Sequence, residues 1–225
     1  MLEIATECAE KILYKFRSSG TEVFEDACLT LKKKYNNLNW STGIFSSYGY
    51  RRAHIDVIDA METHKLWILH TTVFPNLDDD SPIFGFDMIV GPTRISGAFH
   101  DFSNNGNDKH DMMEWFGLRT ENLVWKKPRE LPEWARNIFS PSMIAAGAIT
   151  DAKEAQQFMN LGLQNLTYYL NKVGRKSGNS LESQQYYCEN QRKNPHTPRT
   201  MKLLGMGEED SKFFLDEVLF PLPKN

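Results

Sequence analysis

Residues 67–87, WILHTTVFPNLDDDSPIFGFD, decide the fold. Two runs rich in Ile, Val, Phe, Trp and Thr flank Asn76 to Pro82, a stretch of turn-forming residues. Strands joined by so short a connection lie antiparallel, because a parallel crossover needs roughly a dozen residues or more. Each run carries one ionisable side chain among apolar ones, His70 in the first and Asp87 in the second. An imidazole with an ordinary pKa of about 6.5 beside a carboxyl of about 3.9 makes a proton-handling pair when a dry pocket holds them together.

The pattern continues outward from this hairpin. From about 44 to 102, short apolar runs alternate with turn residues such as Gly91-Pro92, which reads as four or five consecutive strands. No helix-length segment separates them, so an antiparallel meander is expected. Alternation decides which side chains share a face. It groups Leu66, Ile68, His70, Thr72 and Phe74 in one strand, and Ile83, Gly85, Asp87 and Ile89 in the next. In AHIDVID it puts His54 and Asp56 on one face, and in RISGAFHDF it does the same for Ser96, Ala98 and His100. Parity therefore allows a cavity ringed by His54, Asp56, His70, Asp87 and Ser96; the alternative is that these side chains face solvent on an open side of the sheet.

Helical periodicity brackets the strands. Ile4, Cys8, Ile12 and Phe16 recur at helical spacing in the first segment, and Val23, Ala27, Leu31 and Tyr35 predict a second helix over about 21–35. After about 107 the helical period returns, strongest over 151–172, where Ala155, Phe158, Leu161, Leu163, Leu166 and Tyr169 outline a long helix. Helices, then strands, then helices are best accommodated by an α/β fold, a three-layer α/β/α sandwich with a central antiparallel sheet. With no repeat, linker or composition break, residues 1–225 read as a single domain.

Composition narrows the function classes. A net charge of -3 gives no global reason to bind nucleic acid or an anionic membrane. No run approaches the roughly 20 apolar residues of a membrane helix, and Glu3, Glu7 and Glu10 interrupt what a signal peptide would keep apolar. A cytoplasmic chain is expected, with Cys8, Cys28 and Cys188 reduced and structural. Three suggestive patterns fail. Asp78-Asp79-Asp80 lacks a paired ligand motif and reads as a solvated loop. The segment from Asp101 has Met112 where a calcium loop needs its bidentate Glu. Gly205 and Gly207 form a lone GxG with no strand before them. No metal or nucleotide site is expected.

LHTTVFP, SPIFGFDMIVGP, RELPEW, NQRKN and the closing DEVLFPLP resemble the ferredoxin-dependent bilin reductases, nearest the phycocyanobilin:ferredoxin oxidoreductase branch and its small phage-type relatives. The likeness runs from about Tyr48 to the carboxyl terminus. It implies that biliverdin IXα is bound between the sheet and carboxyl-terminal helices. It further implies a four-electron reduction in one-electron steps from reduced [2Fe–2S] ferredoxin, through bilin radicals, with no bound cofactor. By resemblance Asp87 is the central proton donor, His70 acts at the lactam carbonyl, and His54 relays protons from behind. Arg129 and Ser96 hold propionates. Asp56 stands where phycocyanobilin-forming relatives carry a glutamate, one methylene longer. Asn194-Pro195-His196 stands where relatives carry an Asp followed by a basic residue, leaving His196 as a partial substitute or a residue of the pocket mouth. Both departures resemble the phage-type enzymes that make phycoerythrobilin through 15,16-dihydrobiliverdin, with phycocyanobilin the alternative product and a non-catalytic bilin carrier the alternative role. Ferredoxin, an acidic protein, would dock on cations drawn from Lys32 to Lys34, Lys126, Lys127, Arg192, Lys193, Arg199 and Lys202. A monomer is the default, acting in the host cell if phage-encoded.

Overall fold

The computed structural model describes residues 1–175 and 178–224. One antiparallel sheet runs through it, with strands β1 (Thr21–Val23), β2 (Trp40–Ser46), β3 (Tyr50–Ala60), β4 (Leu66–Pro75), β5 (Ile83–Val90), β6 (Ile95–Ser103) and β7 (Ile144–Ala146) side by side in chain order. The expected meander is present and is longer at both ends than its periodicity suggested, with a single helical turn, α3 (Met61–His64), linking β3 to β4. β1 occupies the start of the segment expected as a second helix, because Thr21–Val23 pair with Ile44–Ser46; the helix α2 begins only at Asp26 and ends at Lys34. β7 lies beyond the strand block, recruited by pairing with Ala98 to His100.

Alternation gives the sheet two buried faces. Trp67, Leu69, Val73, Phe84, Phe86 and Met88 point toward α1 (Leu2–Ser19), α4 (Asp111–Thr120) and the long α6 (Ala152–Lys172). In α1 the residues Ala5, Cys8, Ala9, Ile12 and Phe16 are buried, a stripe at helical spacing. In α6, Gly162 lets the helix close on Phe86, whose ring an added Cβ would approach to 2.1 Å. The opposite face carries Trp40, Ile44, Ile58, Phe74 and Ile83. It is covered by α2, α5 (Glu133–Arg136), α7 (Leu181–Gln191), α8 (His196–Leu203) and α9 (Glu208–Phe213). The chain closes in a π-helix, Phe214–Leu219. Arg52 reaches up from β3 to donate to the carbonyl of Val218 at 2.7 Å while pairing with Glu25 through two contacts of 2.9 and 3.0 Å. Arg192 donates to the carbonyls of Asp216 and Phe220. Two guanidinium groups thus take up carbonyls that the wide π turn leaves unpaired. Among the described residues no helix is long and apolar enough to cross a membrane.

Candidate active site

Between the second face and its helices lies a cavity of about 360 Å³, within the usual range for small-molecule sites. Its floor is the middle of the sheet, lined by Asp56, His70, Asp87 and Phe99. These four are successive cross-strand partners, Asp56 opposite His70, His70 opposite Asp87 and Asp87 opposite Phe99. One polar row therefore crosses three strands at right angles to their run. The roof is apolar, formed by Trp134, Phe139, Met143, Met201, Phe214 and Phe220. Arg129, Glu130, Asn194, His196 and Thr200 complete the lining.

His70 and Asp87 meet as parity predicted. Nδ1 of His70 lies 2.7 Å from Oδ1 of Asp87, and the Asp87 oxygen also accepts from the backbone N–H of Thr71 at 3.4 Å. The His70 ring stands edge-on to Phe220 at 5.5 Å. Its side chain is 13% exposed and that of Asp87 36%, so the carboxylate is the member that fronts the cavity. Burial alone would lower the His70 pKa, but the charge and hydrogen bond of Asp87, with Asp56 behind, outweigh it and hold the imidazolium above its usual value. His54 and Asp56 are fully enclosed one strand away. Nε2 of His54 lies 3.1 Å from both Oδ2 of Asp56 and Oγ1 of Thr42, and Trp40 Nε1 donates to Oδ1 of Asp56 at 2.8 Å. Burial holds His54 below its ordinary pKa. Burial pushes Asp56 up, but His54, Thr42 and Trp40 more than reverse this and bring it to about 2.

The model of the ferredoxin-dependent bilin reductase family matches residues 13–221. The chain belongs to that family. As a member it is an oxidoreductase, and its class draws electrons from ferredoxin. It is similar to the phycocyanobilin:ferredoxin oxidoreductase of Trichodesmium erythraeum, 29% identical over 184 residues that span 77% of this chain and 73% of that one. The corresponding protein of Prochlorococcus marinus is 30% identical over 189 residues, 80% and 74% of the two chains. Among solved structures, PcyX superposes with a TM-score of 0.71 at 27% identity, covering 98% of this chain and 99% of its own. Phytochromobilin synthase from tomato, solved in complex with biliverdin, shares the fold, with a TM-score of 0.56 at 15% identity over 97% and 82%.

The remaining expected residues of this bilin reductase are distributed unevenly. Arg129 reaches the cavity, its guanidinium 5.4 Å from the centre of the Phe99 ring and its backbone tied to the carbonyl of Ala145. Asn194 and His196 are in the lining, but Asn194 Oδ1 accepts from His196 N at 2.9 Å in the turn that leads into α8, and His196 is exposed. Ser96 does not line the cavity. The pairing of β5 with β6 slips between Ile89 and Val90, Ser96 is the extra residue, and its hydroxyl donates to the carbonyl of Ile89 at 3.0 Å. That slip also corrects the parity of β6: Ala98 and His100 face α6, where His100 Nε2 meets Asn165 at 2.9 Å, and Gly97 and Phe99 face the cavity side.

Of Asp78 to Asp80, expected as a solvated loop, Asp78 is exposed and Asp80 half-buried, but Asp79 is not solvated. Asp79 is buried and accepts from Ser81 N, Ser81 Oγ and Gly174 N, pinning the β4–β5 connection to the end of α6. Asp79, Asp80 and His110 bring potential ligand atoms within 4.8 Å of one another. The hydrogen bonds to Asp79 and the N-cap bond from Met112 N to His110 Nδ1 give this group its structural work. Trp40, Thr42 and Phe99 join the site without having been singled out. Trp40 and Thr42 lie on the even positions opposite Ile58 and Asp56, so extending the strand reading a few residues before 44 would have found them.

Proposed function

We propose that this protein is a ferredoxin-dependent reductase of biliverdin IXα that adds four electrons and four protons to yield a phycobilin. The carrying observation is the 2.7 Å contact between His70 and Asp87 in the floor of a cavity with an apolar roof. Each electron from ferredoxin makes the conjugated pigment more basic, and a charged radical is costly in a low-dielectric pocket, so a proton must follow each electron. Asp87 and His70 are the donors, one fronting the cavity and one behind it, with His54 and Asp56 backing them from β3. Arg129 is the guanidinium for a propionate, with Asn194 and His196 beside it at the cavity wall. Balance requires four reduced ferredoxins and four protons per biliverdin.

Phycoerythrobilin through 15,16-dihydrobiliverdin is the product we favour. The carboxylate at 56 is a short one, and Pro195 offers no side-chain donor where relatives carry an Asp. The names of the similar cyanobacterial proteins favour phycocyanobilin as the second reading. The electron donor docks on cations near the cavity that make no ion pair among the described residues, Lys127, Lys193 and Arg199. Lys126 pairs with Asp151, Lys202 with Glu208, and Arg192 is committed to the π-helix. The enzyme works as a monomer in the cytoplasm.

Anaerobic incubation with biliverdin and reduced ferredoxin, followed by absorption spectra and chromatography, tests this reading. The expected result is loss of the biliverdin band through a radical intermediate to phycoerythrobilin. Phycocyanobilin as sole product overturns the product assignment, and an unchanged spectrum leaves the carrier role.

A further inference from the structure

Asp56 is held by an indole. Trp40 is 6% exposed and Asp56 2%, and the N–H of the first donates to Oδ1 of the second at 2.8 Å. The indole also stands edge-on to Phe214, with ring centres 5.4 Å apart, and Phe214 lines the cavity. Turning the carboxylate toward a ligand would orphan a buried N–H. Around Asp56 stand Thr42 from β2, His54 and Arg52 from β3, Cys28 from α2 and His70 from β4; Arg52 is itself paired with Glu25 of the loop before α2, and His70 with Asp87. A carboxylate that accepts an N–H on one oxygen and lies beside an imidazole on the other is an anion by construction, and the same contacts hold its carboxyl near 2.

We propose that Trp40 is a positioning residue for the reduction: its indole N–H fixes Asp56, beside His54, as a counter-charge for His70, so that this carboxylate supplies charge to the pocket and no proton to the pigment. The inference rests on the reductase reading for its second half only. It assigns the proton donation on the sheet side to Asp87 and His70, and it gives the short carboxylate at 56 a role that a longer, freer one would not fill.

Trp40→Phe keeps an aromatic ring against Phe214 and removes the N–H. In the ligand-free protein, carbon-13 NMR of the Asp56 carboxyl, assigned with Asp56→Asn, should show no titration above pH about 4 in the wild type and a midpoint raised by about one pH unit in Trp40→Phe. Equal midpoints overturn the role of Trp40. In turnover, Trp40→Phe should move the acid limb of the kcat profile to higher pH while KM changes less than kcat. Should Trp40→Phe fail to fold, Asp56→Asn, which keeps an acceptor for the indole, carries the test. It should turn over more slowly to the same end product, whereas accumulation of a two-electron dihydrobiliverdin would make Asp56 a donor and overturn the proposal. A wild type that leaves biliverdin unchanged refutes the reductase reading, and the NMR comparison still decides the role of Trp40.

Discussion

His70 and Asp87 are direct Cα partners on neighbouring antiparallel strands, and their side chains close to 2.7 Å on the cavity side of the sheet. Such proximity follows from register, since cross-strand partners project from one face with Cβ atoms about 5 Å apart. The pair is therefore fixed by backbone hydrogen bonding and not by loops, which suits groups that must hold a proton at a set distance from a ligand.

Asp87→Asn keeps the shape of the carboxyl and removes its acidity. It should bind biliverdin within a few-fold of the wild type and reduce it at a rate lower by about a hundredfold or more, the usual worth of a positioned proton donor. The bound pigment should stall as a radical or two-electron product. Stopped-flow spectra under anaerobic conditions check this, and turnover at the wild-type rate would remove Asp87 from the donor role.

The same contact makes a statement about stability. Burial pulls the His70 pKa down, the carboxylate of Asp87 pulls it up by more, and the folded value ends above the unfolded one. A group whose folded pKa is raised contributes stability that is complete below its unfolded pKa of about 6.5 and is lost as pH rises through the folded value. The urea midpoint of the wild type should therefore exceed that of His70→Gln by its widest margin near pH 6, and the gap should narrow steadily as pH increases. A gap independent of pH would mean that His70 holds no extra proton in the folded state.

Register is also what made the site legible in the sequence. Parity brought together His54, Asp56, His70 and Asp87 because β3, β4 and β5 pair through their centres without a slip. It failed at Ser96, where one inserted residue reverses the faces that follow; the neighbouring Gly97 is the local signal of such a bulge, which strict alternation passes over. It failed at β1 and β7 because a three-residue strand has too little sequence for a period, and only its partner defines it. The helical layer was read as helices, but the π turn at Phe214–Leu219 and the arginines that hold it are tertiary features, fixed by Arg52 and Arg192 from distant parts of the chain.

Arg129 is exposed at the cavity, with its guanidinium over Phe99 and only a long 3.4 Å contact to the carbonyl of Ser96. Its donors are thus largely uncommitted. Arg129→Gln should raise KM or the biliverdin Kd by about tenfold to a hundredfold, the range of a charged hydrogen bond of roughly 1.5–3 kcal/mol. The effect on kcat should be smaller, because the propionate is remote from the reacting centre. Fluorescence or absorbance titration with biliverdin measures the binding. Equal affinity would place the propionates elsewhere.

Gly162→Ala sets two effects of opposite sign against each other. Within a helix, Ala is favoured over Gly by about 1 kcal/mol. At this position, however, the new Cβ would lie 2.1 Å from Cε2 of Phe86 and 2.5 Å from its Cδ2, and the Phe86 ring is already stacked on Phe158 with centres 4.8 Å apart. Overpacking costs about 1–3 kcal/mol, and an approach of 2.1 Å to a ring already stacked on another belongs in the upper part of that range, about 2–3 kcal/mol, so the net sign should be destabilising. A loss of about 1–2 kcal/mol lowers Tm by roughly 2–8 °C in a chain of this size. Phe86 is the neighbour of Asp87 on β5, so relief of the clash by a shift of the strand displaces the donor too. The variant should therefore lose turnover as well as Tm, which calorimetry and the anaerobic assay measure separately; a raised Tm would show that α6 stands far enough from the sheet to admit a methyl group.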